Sequence, residues 1–282
     1  MADTAFQTAY RQEFIFGFEQ KQSLLRDTVT TEAVIKGNSA VFLVADSGGA
    51  EATSRGTNGL ISARPDDLTQ NTCTLQEWHD KVHKTGFNIF ASQGNQRQIM
   101  QETTMGVINR KIDNQIITEL NTGTISIGSS TTVPSTLLFQ NAIVKLGNAS
   151  VPWDGNITLV CGPGFLAYLE MATEFASADY IEARPYAGTD ASWRDKQMAY
   201  RWRNCTIITH PAVPSIGTAG EKAFMYHKSA IGHAADTAGM TSAVGYDDQD
   251  DYSYARASIF MGSKLLQNSG IVVITCDTSA LS

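Results

Sequence analysis

Positive charge is scarce in this 282-residue chain, where 21 Lys and Arg stand against 28 Asp and Glu for a formal charge of −7. Tight grip on nucleic-acid phosphates rests on counterion release by clustered Lys and Arg, so this balance excludes such binding as the chain's main business. No stretch approaches the ~18 apolar residues of a membrane-spanning helix. The first residues carry Asp3, Arg11, Glu13 and Glu19 among their apolar positions, which is not the apolar core of a signal peptide. The expectation is a soluble protein that folds in a cytoplasm. Cysteine is thin as well: Cys73, Cys161, Cys205 and Cys276 lie far apart, fit neither a zinc knuckle nor a redox pair, and are expected to be reduced core thiols. Lysine is missing altogether from Gly37 to Asp80, where the cations are Arg55 and Arg64.

What is present is ample apolar material. With 42% hydrophobic and 17% charged residues the composition is globular. The most ordered pattern runs from Ser92 to Asn121, without proline and with one glycine, Gly106. Met105, Ile108, Ile112, Ile116 and Leu120 fall on one helical stripe, while Arg97, Glu102, Arg110, Asp113 and Glu119 are expected to project elsewhere. Ser92 can cap the start, and Asn121 with Gly123 supplies a stop. The span predicts one amphipathic helix roughly 42 Å long. It is either a core helix of an ordinary domain or a spine that holds apart two ends of an elongated subunit.

Ahead of it, Phe6, Tyr10, Phe14 and Phe18 recur every fourth residue. Such an aromatic stripe needs a surface, either on its own domain or, as an arm, on a neighbouring subunit. Residues 28–45 read as two strands broken at Gly37 and Asn38, followed by a glycine-rich loop of about 27 residues, long enough to be functional or mobile. After the long helix come a Ser/Thr/Gly-rich connector, a second amphipathic helix closed by Gly147 and Asn148, and a strand, Asn156 to Cys161, that turns through Gly162, Pro163 and Gly164 into a helix. This succession points to an α/β body with further strands behind it.

The chemistry-bearing candidates are weak one by one. Asp46 to Gly49, DSGG, has the look of a protease nucleophile loop, but no histidine precedes it; the earliest is His79. His79 and His83 stand at i and i+4, close enough on a helix to share a metal, yet Asp80 replaces the Glu that a zinc-protease helix needs and two ligands make a poor site. The turn at Gly162 to Gly164 could offer helix amides to a phosphate, without the Lys and Ser/Thr of a P-loop. Asp247, Asp248, Asp250 and Asp251 miss the spacing of a calcium loop. These features predict no catalytic residue, no bound cofactor and no metal.

The order of elements is more informative than any single residue. The segment EKAFMYHKSAIGHA (221–234), then DYSYARASIFMGSKLLQNSGIVVI (251–274), resembles the closing pattern of tailed-bacteriophage major capsid proteins, and the likeness extends over nearly the whole chain. The resemblance implies an α+β, Hong Kong 97-type capsid fold. Its expected parts are an N-terminal arm (1–33), an extended loop (34–87), a peripheral domain (88–155 and 246–282) containing the spine helix 92–121, and an axial domain (156–245). It implies a structural subunit that assembles into hexamers and pentamers of an icosahedral shell around double-stranded DNA, built in the host cytoplasm and residing in the virion. The implied partners are other copies of the chain, a separate scaffolding protein, a portal and, optionally, a cement protein, with DNA held without sequence-specific contacts and no membrane.

The interface residues expected on this reading are Phe6, Tyr10, Phe14 and Phe18 of the arm. Arg55 and Arg64 are expected to pair with acidic groups such as Asp66, Asp67 or Glu182. Some shells of this kind are cross-linked by a loop lysine joined to an asparagine of another subunit; the lysine-free loop implies that this one is not. Two other readings stay open at this point: an α/β enzyme that holds a phosphorylated substrate at the Gly162–Gly164 turn, and a same-fold bacterial nanocompartment shell.

Overall fold

The computed structural model describes residues 22–34, 37–47, 50–59, 61, 63, 67–91, 96–176 and 199–281. In chain order the first half carries β1 (Thr30–Val34), β2 (Ser39–Asp46), β3 (Asp67–Thr74), β4 (Gln76–Thr85), α1 (Gly86–Ala91), α2 (Gln96–Leu120), β5 (Ser126–Gly128) and α3 (Thr136–Asn148). The second half carries β6 (Ile157–Cys161), α4 (Pro163–Met171), α5 (Thr173–Ala176), β7 (Ala199–Trp202), β8 (Cys205–Thr209) and β9 (Ala219–His227). It ends with β10 (Ile231–Asp236), β11 (Thr241–Asp247), β12 (Tyr252–Leu265) and β13 (Ile271–Asp277). The elements fall into two compact units: one includes Glu77–Lys111 and Ala238–Phe260, the other Leu24–Gln76, Ile112–Thr237 and Met261–Ser282.

The expected long helix is α2, with 25 residues and a length of about 37 Å at 1.5 Å per residue. Its buried line is Met100, Thr104, Ile108, Ile112, Ile116 and Leu120, a strict fourth-residue spacing. Met105, placed on the stripe by sequence, is 36% exposed, because it lies about 100° away from Thr104, whose hydroxyl turns inward and donates to the Gln101 carbonyl at 2.9 Å. A larger correction concerns Asp113. It was expected on the outer side, yet it is fully buried beside Ile112, Ile116 and Ile117. The helix stops where expected, with the Gly123 N–H donating to the Leu120 carbonyl and Asn121 Oδ1 accepting from Lys222 Nζ. The proposed cap, Ser92, lies outside the described residues.

The larger unit is organised on a mixed six-stranded sheet, in the order β5-β13-β9-β6-β8-β7. β6 runs parallel to β8 and antiparallel to β9, and β13 is antiparallel to β9 and parallel to β5. Strand β6 is buried at all five positions, the signature of a central strand covered on both faces. On one face Leu159, Cys161, Met225 and Ile274 pack with Leu138, Phe139, Ala142 and Leu146 of α3, and with Phe165, Leu166 and Leu169 of α4. Ser135 caps α3 by accepting from Leu138 N–H. That helix runs through Gly147 and Asn148 and ends at Ala149, with Ser150 turned to φ 56°, so the expected stop came one residue early. The four cysteines are free and buried, and burial pushes the thiols of Cys205 and Cys276 up to about 12, which leaves them unreactive.

In the same unit β1 pairs parallel with β10, and β10 pairs antiparallel with the end of β12, from Ile231↔Leu265 to Ala235↔Met261. In the smaller unit β11 and the start of β12 form a hairpin, Thr241↔Ser258 to Asp247↔Tyr252, and β4 also pairs with β12. The acidic residues from Asp247 to Asp251 make the tip of that hairpin, with Asp251 at φ 49°. His79 and His83 therefore lie on a strand and not on a helix. They are about 13 Å apart along it, too far to share a metal.

Candidate functional site

β2 and β3 form a two-stranded ribbon in perfect antiparallel register, Ser39↔Thr74 through Asp46↔Asp67. Side chains alternate across such a ribbon, so one face carries Ala40, Phe42 and Cys73 and the other Val41, Leu43, Ala45 and Leu68. The first set is buried and packs on Ala234 of β10. Two glycines make room for this root: a side chain at Gly232 would come within 2.8 Å of the Phe42 ring, and one at Gly262 would overlap the Thr74 carbonyl. The second set faces outward, with Leu43 71% and Leu68 61% exposed. A two-stranded ribbon is marginal alone, and an apolar outer face on it marks a contact surface. β3 takes up the end of what read as an open loop, from Asp67 onward.

Arg55 is exposed in the segment between β2 and β3. Asp67 opens β3, but its side chain is outside the described residues, as are Phe6, Tyr10, Phe14, Phe18, Arg64, Asp66 and Glu182. The predicted contact residues are thus not brought together by any described contact.

Leu24 and Leu25 are buried, and their backbone N–H groups both donate to the Asp113 carboxylate, at 2.9 and 3.1 Å. His210 Nε2 reaches the same carboxylate at 3.2 Å, while its Nδ1 accepts from the Ala212 N–H at 3.1 Å. The ring thus bridges the carboxylate, through Nε2, and the Ala212 backbone, through Nδ1. Next to it, Thr28 Oγ1 bonds the Leu25 carbonyl and the Tyr226 hydroxyl, at 2.7 and 2.6 Å. The two backbone N–H groups and the imidazole Nε2 thus converge on one buried carboxyl group. Neither Asp113 nor His210 was picked out from sequence; the available signal was a single acid inside the arc of Ile112, Ile116 and Ile117.

The turn into α4 has the expected form, with Gly162 at the cap and Pro163 in the first turn. A buried carboxylate stands beside this turn. Glu221 is fully buried, accepts from Gly217 N–H at 2.9 Å and from Thr278 Oγ1, and places Oε1 where any side chain at Gly162 would overlap it. A carboxylate at a helix start takes the favourable end of the dipole and repels a phosphate. His227 likewise has a structural role: Nε2 meets Asp154 Oδ1 at 3.1 Å and Nδ1 accepts from Ser229 N–H, which caps the turn Lys228–Ala230. Hydrogen bonds from the side chain and then the backbone of Asn156 draw the Asp154 carboxyl down to about 2. Among the described residues no group of three or more His, Cys, Asp or Glu could hold a metal ion, and no helix is long and apolar enough to cross a membrane.

A family model described as phage capsid protein matches residues 2–278. Among solved structures the chain is similar to the capsid of the cyanophage P-SCSP1u, at 13% identity and a TM-score of 0.74 over 96% of this chain and 93% of that one. It is also similar to a protein of Mycobacterium phage Che8, at 16% identity and a TM-score of 0.73 over 97% and 98% of the two chains. A third likeness is to the capsid of a native GTA particle computed with C5 symmetry, at 12% identity and a TM-score of 0.73 over 97% and 96%. At these identities the likeness establishes the fold, the Hong Kong 97-type α+β architecture, over almost the full length. No curated protein matches the chain in sequence.

Proposed function

Because the chain belongs to the phage capsid protein family, we propose that its copies associate as hexamers and pentamers that close into an icosahedral shell around double-stranded DNA. It is a structural component of the virion capsid and not an enzyme. The observation that carries self-association is the β2–β3 ribbon: rooted at Phe42 and Cys73, it presents Val41, Leu43 and Leu68 to the outside. Heterologous contacts, in which each copy meets its neighbour through a different patch, give closed rings of the kind a shell requires.

In this reading residues 1–33 act as an arm, 34–87 as the extended loop, 88–155 with 246–282 as the peripheral domain, and 156–245 as the axial domain. The arm aromatics Phe6, Tyr10, Phe14 and Phe18 lie on a neighbouring copy. Arg55 and Arg64 form reversible ion pairs with Asp66, Asp67 or Glu182 of other copies, each worth about 0–1 kcal/mol but repeated over the shell. A separate scaffolding protein, a portal and an optional cement protein complete the particle.

Against the enzyme reading, a phosphate at the Gly162–Gly164 turn would meet the buried carboxyl group of Glu221, which stands beside Gly162. Sedimentation velocity of the purified chain over a hundredfold concentration range separates the two. A shift to discrete oligomers supports the shell reading; a persistent monomer that nucleotide protects against heat contradicts it.

A further inference from the structure

Asparagine followed by glycine occurs once in the chain, at Asn58–Gly59, and aspartate followed by glycine once, at Asp154–Gly155. In both pairs the side-chain carbonyl carbon can be reached by the next backbone nitrogen, and the closure to a cyclic imide is not hindered by a side chain on the following residue. The surroundings of the two pairs differ. The Asp154 carboxylate accepts from the Asn156 N–H at 3.0 Å and from Asn156 Nδ2 at 2.8 Å, and it meets His227 Nε2 at 3.1 Å. Asn58 stands between β2 and β3, where residues 50–59 are all exposed, and its side chain has no hydrogen-bond partner among the described residues.

Gly56 to Gly59 form a turn in which the Gly59 N–H donates to the Gly56 carbonyl at 2.9 Å. That bond must open before the Gly59 nitrogen can attack. It lies in exposed backbone, where local opening costs little free energy. Gly59 sits at φ 71°, and beyond its chain neighbours no atom comes within 4 Å of where a side chain would begin, so nothing packs on the turn at that point. Exposed asparagines elsewhere, such as Asn38, Asn141 and Asn148, are followed by Ser39, Ala142 and Ala149, whose side chains crowd the attack. Asn141 and Asn148 also stand in α3, whose backbone hydrogen bonds oppose the required rotation.

We propose that Asn58 is a site of spontaneous deamidation, which turns a carboxamide between β2 and β3 into a carboxylate on the folded subunit. The Gly59 nitrogen gives its proton to hydroxide and bonds to the Asn58 side-chain carbonyl carbon. The bond from that carbon to the amide nitrogen breaks, and the nitrogen takes a proton from water and leaves as ammonia. Water then opens the cyclic imide at either carbonyl, giving aspartate or isoaspartate. The net exchange is one water in and one ammonia out, with no oxidant or second enzyme. The described ionisable residues between β2 and β3 are Glu51 and Arg55, so each conversion takes this stretch from balanced to net negative. On the shell reading, the new carboxylate competes with acidic groups of other copies for Arg55; the conversion itself does not depend on that reading.

Peptide mapping by mass spectrometry of the full chain, incubated in heavy-oxygen water at pH 7 and pH 9, tests this. The peptide containing Asn58 is expected to show the amide-to-acid mass gain with heavy oxygen incorporated, faster at pH 9. Its rate is expected to exceed that of every other asparagine by about tenfold or more. The variant Gly59→Ala is expected to slow conversion at Asn58 by about tenfold, with circular dichroism showing the fold unchanged. In isoelectric focusing the incubated chain gains an acidic band that Asn58→Gln does not form. An Asn58 amide that persists at pH 9, a conversion led by another asparagine, an unchanged rate in Gly59→Ala, or the same acidic band in Asn58→Gln overturns the proposal.

Discussion

Asp113 and His210, 97 residues apart in sequence, meet at 3.2 Å in a fully buried site, and the same carboxylate holds the backbone of Leu24 and Leu25. One side chain of the long helix thereby joins the start of the described chain to the end of β8. Replacing it with alanine would leave two backbone N–H groups and an imidazole N–H buried without an acceptor. Asp113→Ala is expected to cost about 3–5 kcal/mol in urea unfolding. A loss below about 1 kcal/mol would contradict the anchoring role.

The pH dependence of stability follows from His233. Its value in the fold is about 4, against the ordinary 6.5, so as pH falls below 6.5 the unfolded chain takes the proton first. Stability is therefore full above pH 6.5 and declines as pH falls toward 4, by about 3 kcal/mol in total at 1.36 kcal/mol per pKa unit. Denaturation midpoints measured from pH 7.5 to pH 4 should show this slope, and His233→Asn should flatten it. Identical slopes in the two proteins would assign the acid sensitivity to other groups.

The arm carries the next expectation. Each of Phe6, Tyr10, Phe14 and Phe18 contributes on the order of 1.5–3 kcal/mol if fully removed from water on a neighbouring copy. Deletion of residues 2–20 should leave a folded, soluble subunit, checked by circular dichroism and thermal melting, that no longer forms stable assemblies. Collapse of the subunit's own fold would show that these residues belong to its core.

Covalent cross-linking through the loop is not expected. From Gly37 to Asp80 there is no lysine, and a guanidinium such as that of Arg55 remains protonated and does not attack an amide. Denaturing electrophoresis of mature particles should show one band near 30.5 kDa. A ladder of oligomers that survives reductant would refute this.

Much of the fold was legible because its signals are local. The break between β1 and β2 at Gly37 and Asn38, the long proline-free span of α2, and the turn at Gly162–Pro163 all follow from backbone preferences of a few neighbouring residues. β4 was harder to read because neither face is apolar: Trp78, Asp80, Val82 and Lys84 alternate with Glu77, His79, Lys81 and His83, so a strand carrying charge on both sides does not show the usual alternation. Lys111 sits over the Trp78 ring at 3.9 Å, a cation–π contact that lets a cation cover the strand's inner face. Asp113 and Glu221 were missed for a related reason. Their burial depends on donors far away in sequence, such as Leu24 N–H and Thr278 Oγ1, which no local pattern reveals.

This chain's work is to close a container with copies of itself. Electron microscopy of the chain co-expressed with a candidate scaffolding protein tests that most directly. Closed particles are expected, with rings of five and six copies in the reconstruction and the ribbon bearing Leu43 and Leu68 laid on an adjacent copy. Monodisperse single subunits, at every concentration and with every scaffolding candidate, would contradict it.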